Sequence, residues 1–335
     1  MNAFAARLAA WWFPEAPAER LAAVRIATGG FVLWQLVRLF DNFAAIARTP
    51  VAQWSPVGPL RLLDAPLSPA EFDTWNTVHV ALAACFFVGL GHRVLAPIYA
   101  VSTLFFFSYR TAWGGVLHAD NLFTLHILCL ALGPAASAWS VDAWLARRWP
   151  GRGRWLRWSP LPAVDWRFGW NLLLMGAVTT ITYFLAGVAK VVSNPGFGWA
   201  SGKNLLDQIG NDALYKELVS SGGGATPLVP WLYQHPEWLL IAATGTLVIE
   251  VGAPLALLDR RLGWVWSLAT WSMHQGIALV MGIVFPYPGY GFAFVGFFPV
   301  DRWIKGAAGW VRRRRGGAAA LGDAPSEAGP DSASA

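Results

Sequence analysis

The chain has 335 residues, of which 56% are hydrophobic and 13% are charged, and its formal net charge is +6. Soluble domains carry about a quarter charged residues, so this composition excludes an ordinary soluble domain of the same length. The two cysteines, Cys85 and Cys129, lie in separate apolar stretches. They exclude a disulfide framework or a Cys-x-x-Cys redox pair.

The N-terminal segment, residues 1–18, lacks the pattern of a cleaved signal peptide. Its apolar stretch, Leu8 to Phe13, is too short for the hydrophobic region of a signal, and prolines and charges follow it. Residues 3–12 are instead predicted to form an amphipathic helix on a membrane surface, with large apolar side chains in the lipid.

Eight apolar segments follow, and each approaches the roughly 20 residues that cross the hydrocarbon core of a bilayer. They cover residues 21–40, 75–91, 93–109, 117–137, 169–191, 237–258, 262–284 and 287–303. The second and third are joined by a tight hairpin at Gly91–Arg93, while glycines and Pro299 interrupt the eighth. The sequence therefore predicts an all-α fold, a polytopic transmembrane helical bundle of about eight spans within residues 19–305.

The distribution of positive charge predicts how these spans are oriented. If the N-terminus is cytoplasmic, inner segments hold 17 of the 25 Lys and Arg residues, outer segments hold 6, and two lie within spans. This bias follows the positive-inside rule, so both termini are predicted to be cytoplasmic in a bacterial inner membrane. The net charge thus indicates topology, and no nucleic-acid partner is expected. The basic tail, 306–335, is expected to end in disorder.

Lys190 is an ionisable residue within a predicted span, and its presence there requires an explanation. A charged side chain inside a span costs about 2.5–3.5 kcal/mol on insertion scales. Lys190 closes the fifth span, and Thr179, Tyr183 and Gly187 precede it on the same helical face. One interpretation is an amine that snorkels to the lipid headgroups. The other is a partly desolvated amine that acts as a general base.

His118, Asp120 and Asn121 form a polar cluster at the start of the fourth span. Asp120 or Asn121 would serve as a helix cap in a purely structural interpretation. In a functional interpretation the cluster lies level with Lys190, where a carboxylate or an imidazole orients the amine.

Glu250 is the acidic residue deepest in a predicted span. Its side chain is too short to snorkel easily, so it is expected to be paired or protonated and to face the interior. Arg25, equally deep in the first span, is one candidate partner. His126 and His274 lie on other spans. A lone histidine on an apolar helix is more often a hydrogen-bonded packing residue than a ligand, and both are expected to have that role.

Six short strings occur in a fixed order between residues 19 and 303. They are Leu21–Ile26, Leu62–Ala65, Gly89–Arg93, Trp139–Asp142, Tyr183–Lys190 and Gly198–Gly202. Together they resemble the membrane domain of the vitamin K-dependent gamma-carboxylases, which is shared by the wider HTTM (horizontally transferred transmembrane) family.

The resemblance implies a membrane cavity that accepts a quinol. Lys190 corresponds to the base that deprotonates vitamin K hydroquinone, and the oxygenated quinol then removes the γ-proton of a peptide glutamate. His118 and Asp120 would assist Lys190 in catalysis. The implied cofactor-binding residues are Asn121, Tyr183, Trp199, Glu250 and His274, the cofactor is reduced menaquinone or a related vitamin K-type quinol, and no metal is expected.

The chain also departs from the carboxylases. Ala189 stands where the vertebrate enzymes have a second lysine, and no counterpart of the large domain after their membrane core is present. The resemblance therefore favours quinol binding, in a redox or carboxylation enzyme, over carboxylation of peptides.

Other functions stay open. Small HTTM members resemble the membrane component of sporulation-delaying peptide systems, which predicts a non-catalytic protein with an exported peptide or a neighbouring membrane protein as its partner. A haem protein is a further alternative, because His126 and His274 lie on different spans. The inverted repeat of many transporters is not visible in the sequence.

Overall fold

The computed structural model describes residues 3–115, 119–194, 196–219 and 226–322. The protein is all-α, and the described residues add only a two-residue antiparallel pairing between β1 (Ala16–Pro17) and β2 (Val164–Asp165). The chain forms two compact units, Met1–Phe298 and Pro299–Ala335.

Among the described residues, helices of the first unit lie at the predicted N-terminal segment and at the first seven apolar segments, with four more in the connecting loops and a short one in the eighth segment. They are α1 (Ala3–Trp12), α2 (Ala18–Arg38), α3 (Phe40–Ile46), α4 (Pro69–Val88), α5 (His92–Thr111), α6 (Ala119–Leu132), α7 (Val141–Arg148), α8 (Trp166–Val192), α9 (Lys203–Val219), α10 (Leu228–Gln234), α11 (Glu237–Val251), α12 (Arg260–Met281) and α13 (Pro286–Gly289). Short 3₁₀ helices cover Val51–Gln53, Gly58–Leu62, Arg154–Leu156, Gly196–Ser201, Ala253–Leu257 and Phe292–Phe297.

The second unit contains α14 (Val300–Gly322). This helix includes the basic run and extends into the tail that was predicted to be disordered. Residues 323–335, the remainder of that tail, lie outside the described residues.

The predicted hairpin between the second and third spans is confirmed as the turn between α4 and α5. The helices are separated by three residues, and Gly89 (φ +68°) and Gly91 (φ +59°) both have left-handed backbone conformations. Glycine adopts this conformation without a side-chain clash, which explains why two glycines close so short a turn.

The predicted eighth span is wrong as a continuous helix. The segment contains α13, then Gly291 with a φ of +83°, then the 3₁₀ helix Phe292–Phe297. Proline lacks the backbone N–H that helix propagation needs, and glycine favours the turn. The irregular segment instead buries Tyr287 in the core, where it is 1% exposed.

Among the described residues, two helices, α2 and α8, are long and apolar enough to cross a membrane, and their 18-residue windows have mean hydropathies of 1.2 and 1.9. Helices α4, α5 and α12 have 20 to 22 residues each. α11 is shorter, and its segment continues as the 3₁₀ helix Ala253–Leu257. The count of eight spans therefore stays a prediction.

The core lies where α2 packs against α4, α6 and α8. Leu21, Val24, Phe31 and Leu36 on α2 are 3% exposed or less. The N-terminal helix α1 belongs to the same unit, since the indole of Trp11 donates a hydrogen bond to the backbone oxygen of Leu257 at 3.0 Å.

Candidate functional site

Helix α8 carries a polar stripe that ends at Lys190. Thr179, Tyr183 and Gly187 are buried at intervals of four residues, and Lys190 follows about one turn later. Residues three or four apart lie on one side of an α-helix, so the shared face predicted from the sequence is confirmed. This stripe meets α11 and α12, which provide the partners of Lys190 and Tyr183.

The carboxylate of Glu250 holds the ammonium group of Lys190. The Nζ atom lies 2.6 Å from Oε1 and 2.5 Å from Oε2. The Lys190 side chain is 24% exposed and that of Glu250 is 6% exposed. Glu250 lies about 20 Å along α11 from the first residue of that helix, at 1.5 Å per residue. The amine therefore points to a buried carboxylate instead of extending away from the protein.

Gly187 allows this ion pair to form. A Cβ atom at Gly187 would lie 2.9 Å from the Cβ of Glu250 and 2.9 Å from the backbone N of Val251. Real Cβ atoms do not approach other atoms so closely, so a side chain here would push α8 and α11 apart. Lys190 is about one turn beyond Gly187 and reaches Glu250 because the two helices touch at this point.

Trp199 completes the arrangement, and we call Lys190, Glu250 and Trp199 the Lys190 cluster. The 3₁₀ helix Gly196–Ser201 carries Trp199, which is 6% exposed. The Lys190 ammonium lies 5.0 Å from the centre of the indole ring, within the range of a cation–π contact. Gly202, with a φ of +81°, packs against the backbone of Leu239 on α11 and fixes the end of this segment.

The chemistry available to the Lys190 cluster is proton exchange beside a ring face. A proton can pass between Nζ and a carboxylate oxygen over 2.6 Å. That transfer leaves a neutral amine, which is a base, next to a neutral carboxyl group. A low-dielectric environment favours the neutral pair more than water does, because it penalises isolated charges.

Tyr183, a residue of the stripe, forms a second polar contact with His274. The hydroxyl of Tyr183 lies 2.7 Å from Nε2 of His274 on α12. The other ring nitrogen of His274, Nδ1, is buried and has no hydrogen-bond partner among the described residues, and the same holds for Oγ of Ser267. Buried polar groups are normally satisfied, so these two atoms are available for a hydrogen bond to a ligand or a water.

For His126, the sequence predicted only a role in packing. Its Nδ1 lies 2.7 Å from the hydroxyl of Tyr287, and its Nε2 lies 2.9 Å from Oγ1 of Thr179. Tyr287 also meets Oγ1 of Thr28 on α2 at 3.3 Å. The expectation of a hydrogen-bonded packing histidine is confirmed. Both ring nitrogens are occupied, which argues against this histidine as a haem ligand.

The predicted cluster at the start of the fourth span is arranged differently from the hypothesis. Asp120, 7% exposed, forms a salt bridge with Arg110 at the end of α5. Asn121 is exposed, and His118 lies outside the described residues. The carboxylate that orients Lys190 is thus that of Glu250 on α11.

The alternative pairing of Glu250 with Arg25 is wrong. Arg25 is fully buried and donates hydrogen bonds to four backbone oxygens. The acceptors and donor–acceptor distances are Ala135 (3.1 Å), Phe86 (3.0 Å), Phe87 (2.6 Å) and Trp139 (2.7 Å). Its planar group of donors satisfies two carbonyl groups at the C-terminal end of α4 and two in the turn between α6 and α7.

Asp142 secures the same region, which we call the Arg25 junction (Arg25, Gly89, Gly91 and Asp142). Its two carboxylate oxygens accept hydrogen bonds from the backbone N–H groups of Gly91 (2.8 Å) and His92 (2.9 Å). A carboxylate at the N-terminus of a helix satisfies its free N–H groups and complements its dipole. Three of the strings that carry the family resemblance therefore meet here, and they contain no residue of the Lys190 cluster.

Two cavities adjoin the Arg25 junction. One of about 400 Å³ is lined by residues of α2, α4 and α7, including Ile26, Val88 and Trp144. Another of about 180 Å³ is lined by Gly91, Asp142 and Arg157, among others. Neither is lined by Lys190 or Glu250. Comparisons with family models, curated proteins and solved structures gave no match to this chain.

Proposed function

We propose that the chain is a multi-pass integral membrane protein of the bacterial inner membrane. The support comes from the positions of apolar and charged side chains, which are the reverse of those in a soluble protein. Large apolar side chains are exposed on the helices, such as Val192 (77%), Val248 (67%) and Val265 (66%), whereas Arg25 is fully buried. Soluble proteins rarely expose wide apolar patches, and lipid is the solvent that stabilises such a surface.

The proposal extends to about eight membrane-crossing segments with both ends cytoplasmic. Helices α4, α5 and α12 have 20, 20 and 22 residues, which corresponds to about 30 Å each. Their length matches the thickness of a hydrocarbon core. The positive-inside bias of the sequence supports the same orientation.

Within this membrane protein we propose a quinol-dependent enzyme of the HTTM type, related in its chemistry to gamma-carboxylase. The observation that carries the proposal is the Lys190 cluster. It holds a proton-exchanging pair against an indole face at a buried position, and a quinol is a lipophilic ring that must lose a proton to react. A bound quinol would supply reducing equivalents.

The surrounding residues fit such a ligand. Trp199 offers a ring face, and Nδ1 of His274 is a buried polar atom without a partner among the described residues. Lys190 acts as the base after its proton has moved to Glu250, and Glu250 keeps the amine in place. In the proposed membrane location, lipid would limit the access of water, which would otherwise neutralise a strong base.

Binding of a short-chain menaquinol analogue to the detergent-solubilised protein tests this proposal, with tryptophan fluorescence quenching as the readout. We expect Lys190→Ala to weaken binding by about tenfold, which corresponds to the loss of one good polar contact. Lys203→Ala is the control, because Lys203 is an exposed lysine at the start of α9. If the Lys190→Ala protein bound the analogue with wild-type affinity, the quinol proposal would be rejected.

A further inference from the structure

The 400 Å³ cavity beside the Arg25 junction is apolar and already formed. Ile26, Phe87, Val88, Val141 and Trp144 contribute to its walls, and it opens at the protein surface. Arg25 fixes two of these walls, since it donates hydrogen bonds to the backbone oxygens of Phe87 and Trp139. A pre-organised apolar cleft of this volume accommodates part of a hydrocarbon chain.

Positive charge lies next to the opening. Trp144 is on α7 and is 51% exposed. Arg147 and Arg148 follow it by three and four residues, so they lie on the same side of this helix, and both are exposed. Helix α7 thus combines an apolar wall with a basic end. In the proposed topology this helix lies on the cytoplasmic side, where anionic phospholipids meet basic residues near the membrane.

We infer that this cavity binds one acyl chain of an anionic phospholipid, whose phosphate is held by Arg147 and Arg148. The site contains no residue of the Lys190 cluster, so it is a second binding site and not a part of the quinol site. The inference rests on the proposed membrane location but not on quinol chemistry.

Lipid binding to the full-length protein in detergent is the test, with bound lipid counted by native mass spectrometry during titration. We expect phosphatidylglycerol to bind about tenfold more tightly than phosphatidylethanolamine, because each nearby arginine strengthens binding to an anionic headgroup. Glycerol phosphate without acyl chains is expected not to compete, which separates a lipid site from a simple phosphate site.

Two sets of variants decide the outcome. The double variant R147Q/R148Q should lose the preference for phosphatidylglycerol. The control R260Q/R261Q removes the same charge at the start of α12, which does not line the cavity, so it should keep the preference. V88W should weaken binding of both lipids by filling the cavity without a change of charge.

Equal lipid preferences in the two double variants, or wild-type binding by V88W, would overturn the inference. If R147Q/R148Q did not fold, V88W alone would decide. A failure of the membrane proposal is recognised separately, because such a protein would be recovered without membranes during cell fractionation. A failure of the quinol proposal alone leaves these lipid measurements unchanged.

Discussion

Lys190 and Glu250 illustrate how two residues that are each costly to bury become acceptable as a pair. Glu250 is 6% exposed, and its two oxygens both contact the ammonium group. Removal of one partner of a buried pair leaves an uncompensated charge, whereas removal of both can be nearly neutral. The pair therefore has a stability signature that is independent of any ligand.

We predict that Glu250→Gln lowers the free energy of unfolding by about 3 kcal/mol, because the Lys190 ammonium loses its counter-charge in an apolar environment. The double variant K190M/E250Q should recover most of this loss, since neither charge remains. Denaturation of the solubilised protein, monitored by tryptophan fluorescence, measures both effects.

The ion pair between Lys216 and Asp212 is the matched control for this experiment. Its side chains are 26% and 21% exposed, and the residues are four apart on α9. Ion pairs four residues apart on a helix contribute about 0.3–0.5 kcal/mol. Lys216 also keeps its hydrogen bond to the backbone oxygen of Met281, so Asp212→Asn should have a small effect. If Glu250→Gln cost no more than Asp212→Asn, the Lys190–Glu250 pair would not be the buried interaction described here.

At the scale of helices, the close approach of α8 and α11 depends on Gly187. We predict that Gly187→Ala destabilises the protein by about 1–3 kcal/mol, because the added Cβ would overlap the backbone of α11 near Val251. The change should also weaken quinol binding, since it separates Lys190 from Glu250. The melting temperature in detergent measures the first effect.

Gly245→Ala provides the comparison within α11. Apart from the chain neighbours and backbone of its own helix, no atom of the described residues lies within 4 Å of a Cβ built at Gly245. Alanine is about 1 kcal/mol better than glycine in a helix interior, so this variant should be unchanged or more stable. A similar loss of stability in both variants would contradict the assignment of a close helix contact to Gly187.

The same helix pair shows why part of the site was not predictable. The sequence predicted that Lys190 ends one helix and that Glu250 lies inside another, at depths that looked different. The structure brings them together because the C-terminal end of α8 lies beside the C-terminal end of α11. The 3₁₀ helix Gly196–Ser201 then buries Trp199. No local pattern specifies such an offset between two helices.

For the whole molecule, the topology is the most direct consequence of the membrane proposal. We predict that a cysteine at Ser55 reacts with a membrane-impermeant maleimide in intact spheroplasts, while one at Ser159 reacts only after the membrane is opened. Both serines are exposed, and the predicted topology places them on opposite sides of the membrane.

The experiment uses a protein in which Cys85 and Cys129 have been replaced by alanine. After alkaline carbonate washing, the protein should stay in the membrane fraction and require detergent for release. Equal labelling of the two positions in intact spheroplasts would contradict the proposed orientation. Release by carbonate alone would contradict the integral membrane assignment.

The sequence by itself determined the all-α class, most helix positions and the tight α4–α5 turn, because these follow from local apolar content, glycine conformations and missing backbone donors. It also singled out Lys190 and Glu250 as unusual charges in apolar segments. Only the tertiary structure decided their partners: Glu250 with Lys190, Asp120 with Arg110, and Arg25 with backbone oxygens. The physical reason is that hydrogen bonds and ion pairs depend on distances between separate helices, which packing of their side chains sets.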